Sequence, residues 1–181
     1  LLAGPEIAAV LRHLESVFAV AAGAEVTAEA NPSDLDPSAL AALRAAGVNR
    51  LSIGVQSFSD REPTLVGRRH DAARAEQVVR EARQAGFESL SIELMLAIPG
   101  QTEAGFRRSL DKAIALATDH LSLYLLEIHQ SSEMDFLRRE RPRLFPGEEA
   151  ERRRYLAMHG RLVAAGYEHY EISNFARPGK Q

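Results

Sequence analysis

The chain contains no cysteine and no tryptophan among its 181 residues. Without thiolates it can form no disulfide, use no cysteine nucleophile and ligate no iron–sulfur cluster with its own side chains. An excess of one charge is also missing, because 22 basic and 25 acidic residues give a formal net charge of −3. With no basic tract interleaved with aromatics, we expect no nucleic-acid partner. No apolar run reaches the roughly 20 residues of a membrane helix and no signal peptide opens the chain, so we expect a cytoplasmic protein without a transmembrane segment.

The apolar residues occur in short runs that alternate with helical patterns. Hydrophobic residues make up 45% of the chain and charged residues 26%, as in an ordinary soluble globular domain. Four runs have the character of strands and end in polar residues: 24–30, 48–55, 87–96 and 121–128. Amphipathic stretches stop at Gly47, Gly86 and Gly166, where glycine accepts the left-handed conformation that closes a helix.

This alternation predicts an α/β fold with parallel strands and right-handed crossovers. We favour a (β/α) barrel or a portion of one, with an open doubly wound sheet as the alternative. Residues 167–175 offer a candidate fifth strand, and the polar segment 131–146 is expected to be a loop with one short helix. Because the chain starts without methionine and neither end resembles a domain edge, residues 1–181 are interpreted as the central part of a larger domain.

Polar side chains follow the predicted strands at the points where the strands end. Glu29, Gln56 and Glu93 stand at or near the carboxyl ends of apolar runs, and Arg68 lies just before a helix. A parallel βα layout binds its ligands at this edge. A carboxylate suits an ammonium group or ribose hydroxyls, an amide donates and accepts hydrogen bonds, and a guanidinium grips a carboxylate or phosphate. Each of these side chains could equally cap a helix, tie down a loop or form a salt bridge.

Alternation along residues 51–56 places Ser52, Gly54 and Gln56 on one face of their strand, opposite three apolar residues. Glycine at the middle position permits close approach of a ligand. The histidines show no metal-ligand spacing, and the four tyrosines are expected to pack. Signatures of phosphate loops and of serine hydrolases are missing. The residues alone therefore indicate an α/β sheet with polar side chains at the carboxyl ends of its strands and an unknown ligand. An ordinary enzyme that uses Glu29 and Glu93 as acid and base is an alternative that stays open.

Six segments taken together resemble one enzyme family. They are Glu-Ala-Asn-Pro at 29–32, Gly-Val-Asn-Arg-Leu-Ser-Ile-Gly-Val-Gln-Ser-Phe at 47–58, Leu-Val-Gly-Arg at 65–68, Ile-Pro-Gly-Gln-Thr at 98–102, His-Leu-Ser-Leu-Tyr at 120–124, and Ala-Gly-Tyr-Glu-His-Tyr-Glu-Ile-Ser-Asn-Phe-Ala at 165–176. The chain resembles the radical S-adenosylmethionine enzymes related to oxygen-independent coproporphyrinogen III oxidase. Within that family it looks most like the HemW type, whose members are regarded as heme chaperones.

The resemblance implies a partial (β/α)6 barrel in which a reduced 4Fe-4S cluster cleaves S-adenosylmethionine to a 5′-deoxyadenosyl radical. Carried over residue by residue, Glu29 and Gln56 match strand-end residues of the S-adenosylmethionine site. Arg68 matches the arginine that grips the methionine carboxylate, and Glu93 matches the acid that holds the ribose hydroxyls. Heme or a porphyrinogen would be a further ligand of the complete protein, and a heme-acceptor protein a partner. The family's cluster cysteines and its His-Asn-x-x-Tyr motif do not occur in these residues, so the chain alone is not expected to be active.

Two positions depart from the family pattern. Glu93 stands where the family writes aspartate, and its extra methylene moves the carboxylate outward by about 1.5 Å, one carbon–carbon bond. Ala97 stands where the family writes glycine, and its methyl restricts a turn that glycine leaves free. Three interpretations remain: a heme chaperone, an oxidase that decarboxylates coproporphyrinogen, and a cluster-less relative that binds a small ligand without redox chemistry.

Overall fold

The computed structural model describes residues 2–59 and 71–181, so Arg68 lies outside the described residues. Within this part of the chain, one sheet is flanked by helices. The strands are β1 (Thr27–Ala30), β2 (Arg50–Gln56), β3 (Ser89–Leu96), β4 (His120–Leu125), β5 (Glu168–Glu171) and β6 (Asn174–Ala176). The helices are α1 (Gly4–Val17), α2 (Pro37–Ala46), α3 (Ala72–Gln84), α4 (Glu103–Ala115), α5 (Glu133–Glu140) and α6 (Glu148–Ala164). None of these helices is long and apolar enough to cross a membrane.

The sheet has the strand order β1-β2-β3-β4-β6-β5, and its first four strands are parallel. This arrangement confirms the predicted α/β architecture with helical crossovers. The candidate fifth strand is different from the prediction, because residues 167–175 form most of a hairpin. A two-residue turn at Ile172 and Ser173 reverses the chain, and β6 pairs antiparallel with both β4 and β5. A parallel fifth strand would need a crossover connection, for which two residues are too few.

The helices begin and end where the sequence indicates. The side chain of Asp36 accepts a hydrogen bond from the backbone nitrogen of Ala39 at 2.7 Å, which caps α2. Thr102 caps α4 in the same way, by accepting from the nitrogen of Gly105 at 3.0 Å. At the other end of α2, Gly47 has a φ of 106°, a conformation open to glycine at little cost. A cap satisfies backbone donors that the first helical turn leaves unpaired, so these signals fix the helix boundaries locally.

The two faces of the sheet have different compositions. One face is apolar and packs against α2, α3, α4 and α6, forming the hydrophobic core. The strand side of this core consists of Leu51, Ile53, Val55, Leu90, Ile92, Leu94, Leu121, Leu123 and Phe175. The opposite face is mostly polar, as expected for the inside of a barrel that holds a ligand. Across the four parallel strands and β6 it carries Thr27, Glu29, Arg50, Ser52, Gly54, Gln56, Ser89, Ser91, Glu93, Met95, His120, Ser122, Tyr124, Asn174 and Ala176.

Candidate functional site

The backbone is strained at the carboxyl ends of β2 and β3. Gln56, the last residue of β2, has a φ of 64°, and Ala97, directly after β3, has a φ of 63°. The ladder between the two strands also shifts its register between Gly54 and Gln56. Residues other than glycine adopt the left-handed region at a cost, and such residues concentrate at ligand sites. The two strained positions therefore direct attention to the edge that the sequence predicts for the ligand.

Three polar side chains converge on a point above Gly54. A β-carbon added to this glycine would lie 3.1 Å from Nε2 of Gln56 and 3.6 Å from both Oδ1 of Asn31 and Oε2 of Glu93. These three residues come from β2, from the turn after β1 and from β3. Gly54 thus forms the floor of a small cradle whose walls are an amide of β2, an amide oxygen and a carboxylate.

The Gln56 side chain is held at one end and unpaired at the other. It is 1% exposed, and its Oε1 accepts a hydrogen bond from the hydroxyl of Tyr124 at 2.9 Å. Its Nε2 is buried and has no hydrogen-bond partner in the part of the chain that the structure describes. Leaving a buried donor unsatisfied costs about 1–3 kcal/mol, so such groups require an explanation. A ligand that accepts a hydrogen bond above Gly54 would satisfy this donor.

Glu93 is arranged in the same way. Its Oε1 accepts a hydrogen bond from the hydroxyl of Ser52 at 2.8 Å, across the pair of strands β2 and β3. Its Oε2 is the oxygen beside the Gly54 cradle, and it accepts no hydrogen bond from the described residues. An acceptor at Glu93 and a donor at Gln56 therefore face one point. A hydroxyl group, which both donates and accepts, would satisfy both.

The structure brings together two of the four predicted site residues, Gln56 and Glu93. Glu29 is exposed and pairs in register with Ser52, so it lies on the same polar face one strand away. The alternation that placed Ser52, Gly54 and Gln56 on one face is confirmed by their contacts. Tyr124, which was expected to pack, also donates a hydrogen bond from its hydroxyl to Gln56. The signal was available, since Tyr124 lies two residues beyond Ser122 on the face that continues the cradle.

Metal ligands are not part of this cradle. Over residues 2–59 and 71–181, no three histidine, aspartate or glutamate side chains lie close enough together to hold a metal ion. The sequence has no cysteine that could ligate a cluster instead.

The turn after β3 yields a test of backbone strain. Ala97 is buried and left-handed, and its nitrogen donates to Oε1 of Gln101 at 3.1 Å. We expect Ala97→Gly to stabilise the chain by about 0.5–1 kcal/mol, since relief of about 1–2 kcal/mol of left-handed strain exceeds the entropy that glycine costs. Urea denaturation measures the change. Ala41→Gly, at an exposed position in the middle of α2, is the control and should destabilise by about 1 kcal/mol; equal losses in both variants would refute the strain at Ala97.

A second polar group lies at the opposite, amino-terminal end of the strands. His120 is buried, its Nδ1 lies 2.8 Å from the hydroxyl of Ser91, and its Nε2 lies 2.7 Å from the hydroxyl of Tyr170. Burial, and secondarily the positive charge of Arg50, lowers the pKa of His120 from 6.5 to about 4, although Glu25 acts in the opposite direction. The imidazole is therefore neutral in the folded chain at neutral pH.

This lowered pKa predicts a loss of stability in mild acid. The unfolded chain takes up a proton near pH 6.5, whereas the folded chain resists protonation until about pH 4. The contribution of His120 is therefore complete above pH 6.5 and is lost as the pH falls from 6.5 to 4. Allowing for solvent screening, we expect a loss of about 1–2 kcal/mol. The measurement is the free energy of unfolding across this range for the wild type, His120→Gln and the exposed control His13→Gln; only His120→Gln should flatten the profile.

Comparisons with known proteins agree with this geometry. Residues 2–113, more than half of the chain, match the Radical SAM superfamily. The chain is 37% identical over 181 residues to the heme chaperone HemW of Escherichia coli K12, covering 100% of this chain and 47% of that protein. It is 40% identical over 181 residues to radical S-adenosyl methionine domain-containing protein 1, mitochondrial, of Bos taurus. That match covers 98% of this chain and 40% of the Bos taurus protein. The chain thus spans less than half the length of these relatives.

Solved structures show the same fold. Coproporphyrinogen III oxidase (HemN) from Escherichia coli, described as a radical SAM enzyme, superimposes with a TM-score of 0.84 at 28% identity. The match covers 99% of this chain and 41% of that one. The archaeal Methanocaldococcus infernus Elp3 shares the fold alone, with a TM-score of 0.64 at 18% identity. The match of residues 2–113, more than half of the chain, establishes that this chain belongs to the Radical SAM superfamily.

Proposed function

We propose that residues 1–181 are the central part of the barrel of a longer radical S-adenosylmethionine protein of the heme chaperone type. The cradle above Gly54 binds part of S-adenosylmethionine, and the complete protein also binds a 4Fe-4S cluster and heme. The observation that carries the proposal is the pair of groups facing one point above Gly54: Nε2 of Gln56, a buried donor without a partner in the described residues, and Oε2 of Glu93, an acceptor. The relatives named as heme chaperones support the heme part.

The residues of this chain bind and orient the cofactor. Gln56 donates a hydrogen bond and Glu93 accepts one, which suits the ribose hydroxyls. The exposed carboxylate of Glu29, on the same face, suits the ammonium group of the methionine moiety. Arg68 would grip the carboxylate of that moiety through its fork of donors. S-adenosylmethionine supplies radical chemistry in this superfamily when a reduced cluster lies beside it.

The cluster does not fit the residues of this chain, since iron–sulfur clusters are held by cysteine thiolates and the sequence has none. Its ligands are therefore assigned to residues outside the 181. A cluster-less relative, the alternative, would lack cysteines in its complete sequence as well. Sequencing the complete gene separates the two alternatives before any protein is made.

The test of the proposal uses the complete protein with its cluster reconstituted without oxygen. Titration with S-adenosylmethionine in a calorimeter should show saturable binding, and titration with heme should show a saturable absorbance change. Glu93→Ala should weaken S-adenosylmethionine binding while heme binding is retained, because the cradle is assigned to the cofactor alone. No saturable binding of S-adenosylmethionine by the wild type would refute the proposal.

The structural neighbour favours a second candidate, the oxidative decarboxylation of coproporphyrinogen III, because HemN superimposes over 99% of this chain. Incubation of the reconstituted protein with coproporphyrinogen III, S-adenosylmethionine, a one-electron reductant for the cluster and a terminal electron acceptor decides between the two. Conversion to protoporphyrinogen would support the oxidase. Transfer of bound heme to an acceptor protein without such conversion would support the chaperone. A cytoplasmic location is part of the proposal and is tested by imaging the complete protein with a fluorescent tag.

A further inference from the structure

The two cofactor-facing side chains share an arrangement that their own chemistry does not require. Each has two polar head-group atoms, and in each case a hydroxyl from another strand of the sheet donates to one of them. Tyr124 on β4 donates to Oε1 of Gln56, and Ser52 on β2 donates to Oε1 of Glu93. The second atom of each head group, Nε2 or Oε2, is left facing Gly54. The two hydroxyls thus act on the side of each head group that points away from the cradle.

This arrangement determines the orientation of the amide. A glutamine carboxamide can rotate by half a turn at little cost, which exchanges its oxygen and its nitrogen. In the buried surroundings of Gln56, the hydroxyl of Tyr124 donates to the oxygen, so the nitrogen is directed to the cradle. The backbone of Gln56 is itself left-handed, so the position of the side chain is set by a strained turn and its rotation by the tyrosine. Without Tyr124, either end of the amide could face the ligand.

Ser52 has the corresponding effect on Glu93. Ser52 is buried, and its hydroxyl lies 2.8 Å from Oε1 of Glu93, across the pair of strands β2 and β3. Glutamate has one more rotatable bond than the aspartate that the family pattern has here. A hydrogen bond to one oxygen restricts that additional freedom and leaves Oε2 as the acceptor beside Gly54.

We propose that Tyr124 and Ser52 are positioning residues, which fix a donor at Gln56 and an acceptor at Glu93 above the Gly54 floor before the ligand arrives. The inference rests on the proposed binding of S-adenosylmethionine, but it also makes a claim about the ligand-free protein. Preorganised groups lose less entropy when a ligand binds. Removing either hydroxyl therefore weakens ligand binding, although the groups of Gln56 and Glu93 that are proposed to contact the ligand are still present.

The first experiment needs no ligand. The complete protein is labelled with ¹⁵N at its glutamine side chains, and the Gln56 resonance is assigned by its loss in Gln56→Ala. In the wild type we expect one ordered amide signal, and in Tyr124→Phe a more mobile or doubled one. Tyr155→Phe is the matched control, because its hydroxyl donates to the carbonyl of Ile172, away from the cradle; it should leave the Gln56 signal unchanged. An unchanged Gln56 signal in Tyr124→Phe overturns the inference, whether or not S-adenosylmethionine binds.

The second experiment measures S-adenosylmethionine binding in a double-mutant cycle. Tyr124→Phe should raise Kd by about 5–10-fold, the loss expected for one hydrogen bond, while Tyr155→Phe should leave it unchanged. In the Gln56→Ala background the same change should alter Kd by less than about twofold, because the tyrosine acts through the amide. Ser52→Ala paired with Glu93→Gln should show the same non-additivity. Equal effects in both backgrounds would mean that the hydroxyls act independently, which would overturn the inference. Failure of the wild type to bind S-adenosylmethionine would refute the proposed function instead. In that case the Gln56 amide signal of the ligand-free protein alone would decide whether the inference holds.

Discussion

Gly54→Ala is expected to reduce S-adenosylmethionine binding by about 30-fold or more while the barrel portion stays folded. The new methyl group would lie 3.1 Å from Nε2 of Gln56 and 3.6 Å from Oε2 of Glu93, so it occupies the point where the ligand is proposed to sit. Overpacking of this kind costs about 1–3 kcal/mol, and a factor of ten in affinity corresponds to about 1.4 kcal/mol. Calorimetric titration of the complete protein measures the change, and thermal melting shows whether the fold is retained.

Gly160→Ala is the matched control for this substitution. Gly160 lies on the exposed side of α6, and an added β-carbon there meets no atom within 4 Å. Alanine is favoured over glycine within a helix by about 1 kcal/mol, so this variant should melt at a slightly higher temperature and bind the cofactor as the wild type does. If Gly54→Ala also binds normally, the cradle is not the cofactor site and the proposed assignment of Gln56 and Glu93 fails with it.

Arg154→Ala is expected to destabilise the chain by about 3 kcal/mol, the largest effect on folding that we predict. Arg154 lies on α6, is 8% exposed and donates from Nη2 to the backbone carbonyl of Gln101 at 2.8 Å. Its Nε lies 3.6 Å from Oε2 of Glu103. These contacts hold the loop between β3 and α4 against α6. Alanine would leave a cavity and also remove the hydrogen bond to the Gln101 carbonyl, which adds two separate costs. Urea denaturation gives the free energy of unfolding.

A second substitution at the same position separates packing from charge. Nε and Nη1 of Arg154 are buried and make no hydrogen bond within residues 2–59 and 71–181, so part of the cost of desolvating the guanidinium is not offset by hydrogen bonds. Arg154→Met keeps much of the volume and removes that cost, and we therefore expect it to lose less than half as much stability as Arg154→Ala. The exposed Arg153→Ala should change stability by less than about 0.5 kcal/mol. Equal losses for the alanine and methionine variants at position 154 would contradict this explanation and assign the whole effect to the hydrogen bond with Gln101.

The local elements of this protein could be predicted because their signals are local. Asp36 and Thr102 satisfy the first turns of their helices, and Gly47 adopts the left-handed conformation that ends one. The alternation from Leu51 to Gln56 assigned each side chain to its face, since successive side chains of a strand point in opposite directions. The hairpin of β5 and β6 was missed because a continuous polar and aromatic run gives no warning of a two-residue turn.

The sequence by itself determined the order of the four parallel strands and the helices between them, the apolar face of the sheet and the family resemblance, because each depends on residue spacing along the chain. The tertiary structure alone decided which groups face the point above Gly54. Tyr124 is 68 residues from Gln56, and Ser52 is 41 residues from Glu93. Ser52 meets Glu93 across adjacent parallel strands about 4.8 Å apart, whereas Tyr124 reaches Gln56 across the intervening strand β3. No local pattern encodes which hydroxyl will meet which amide or carboxylate.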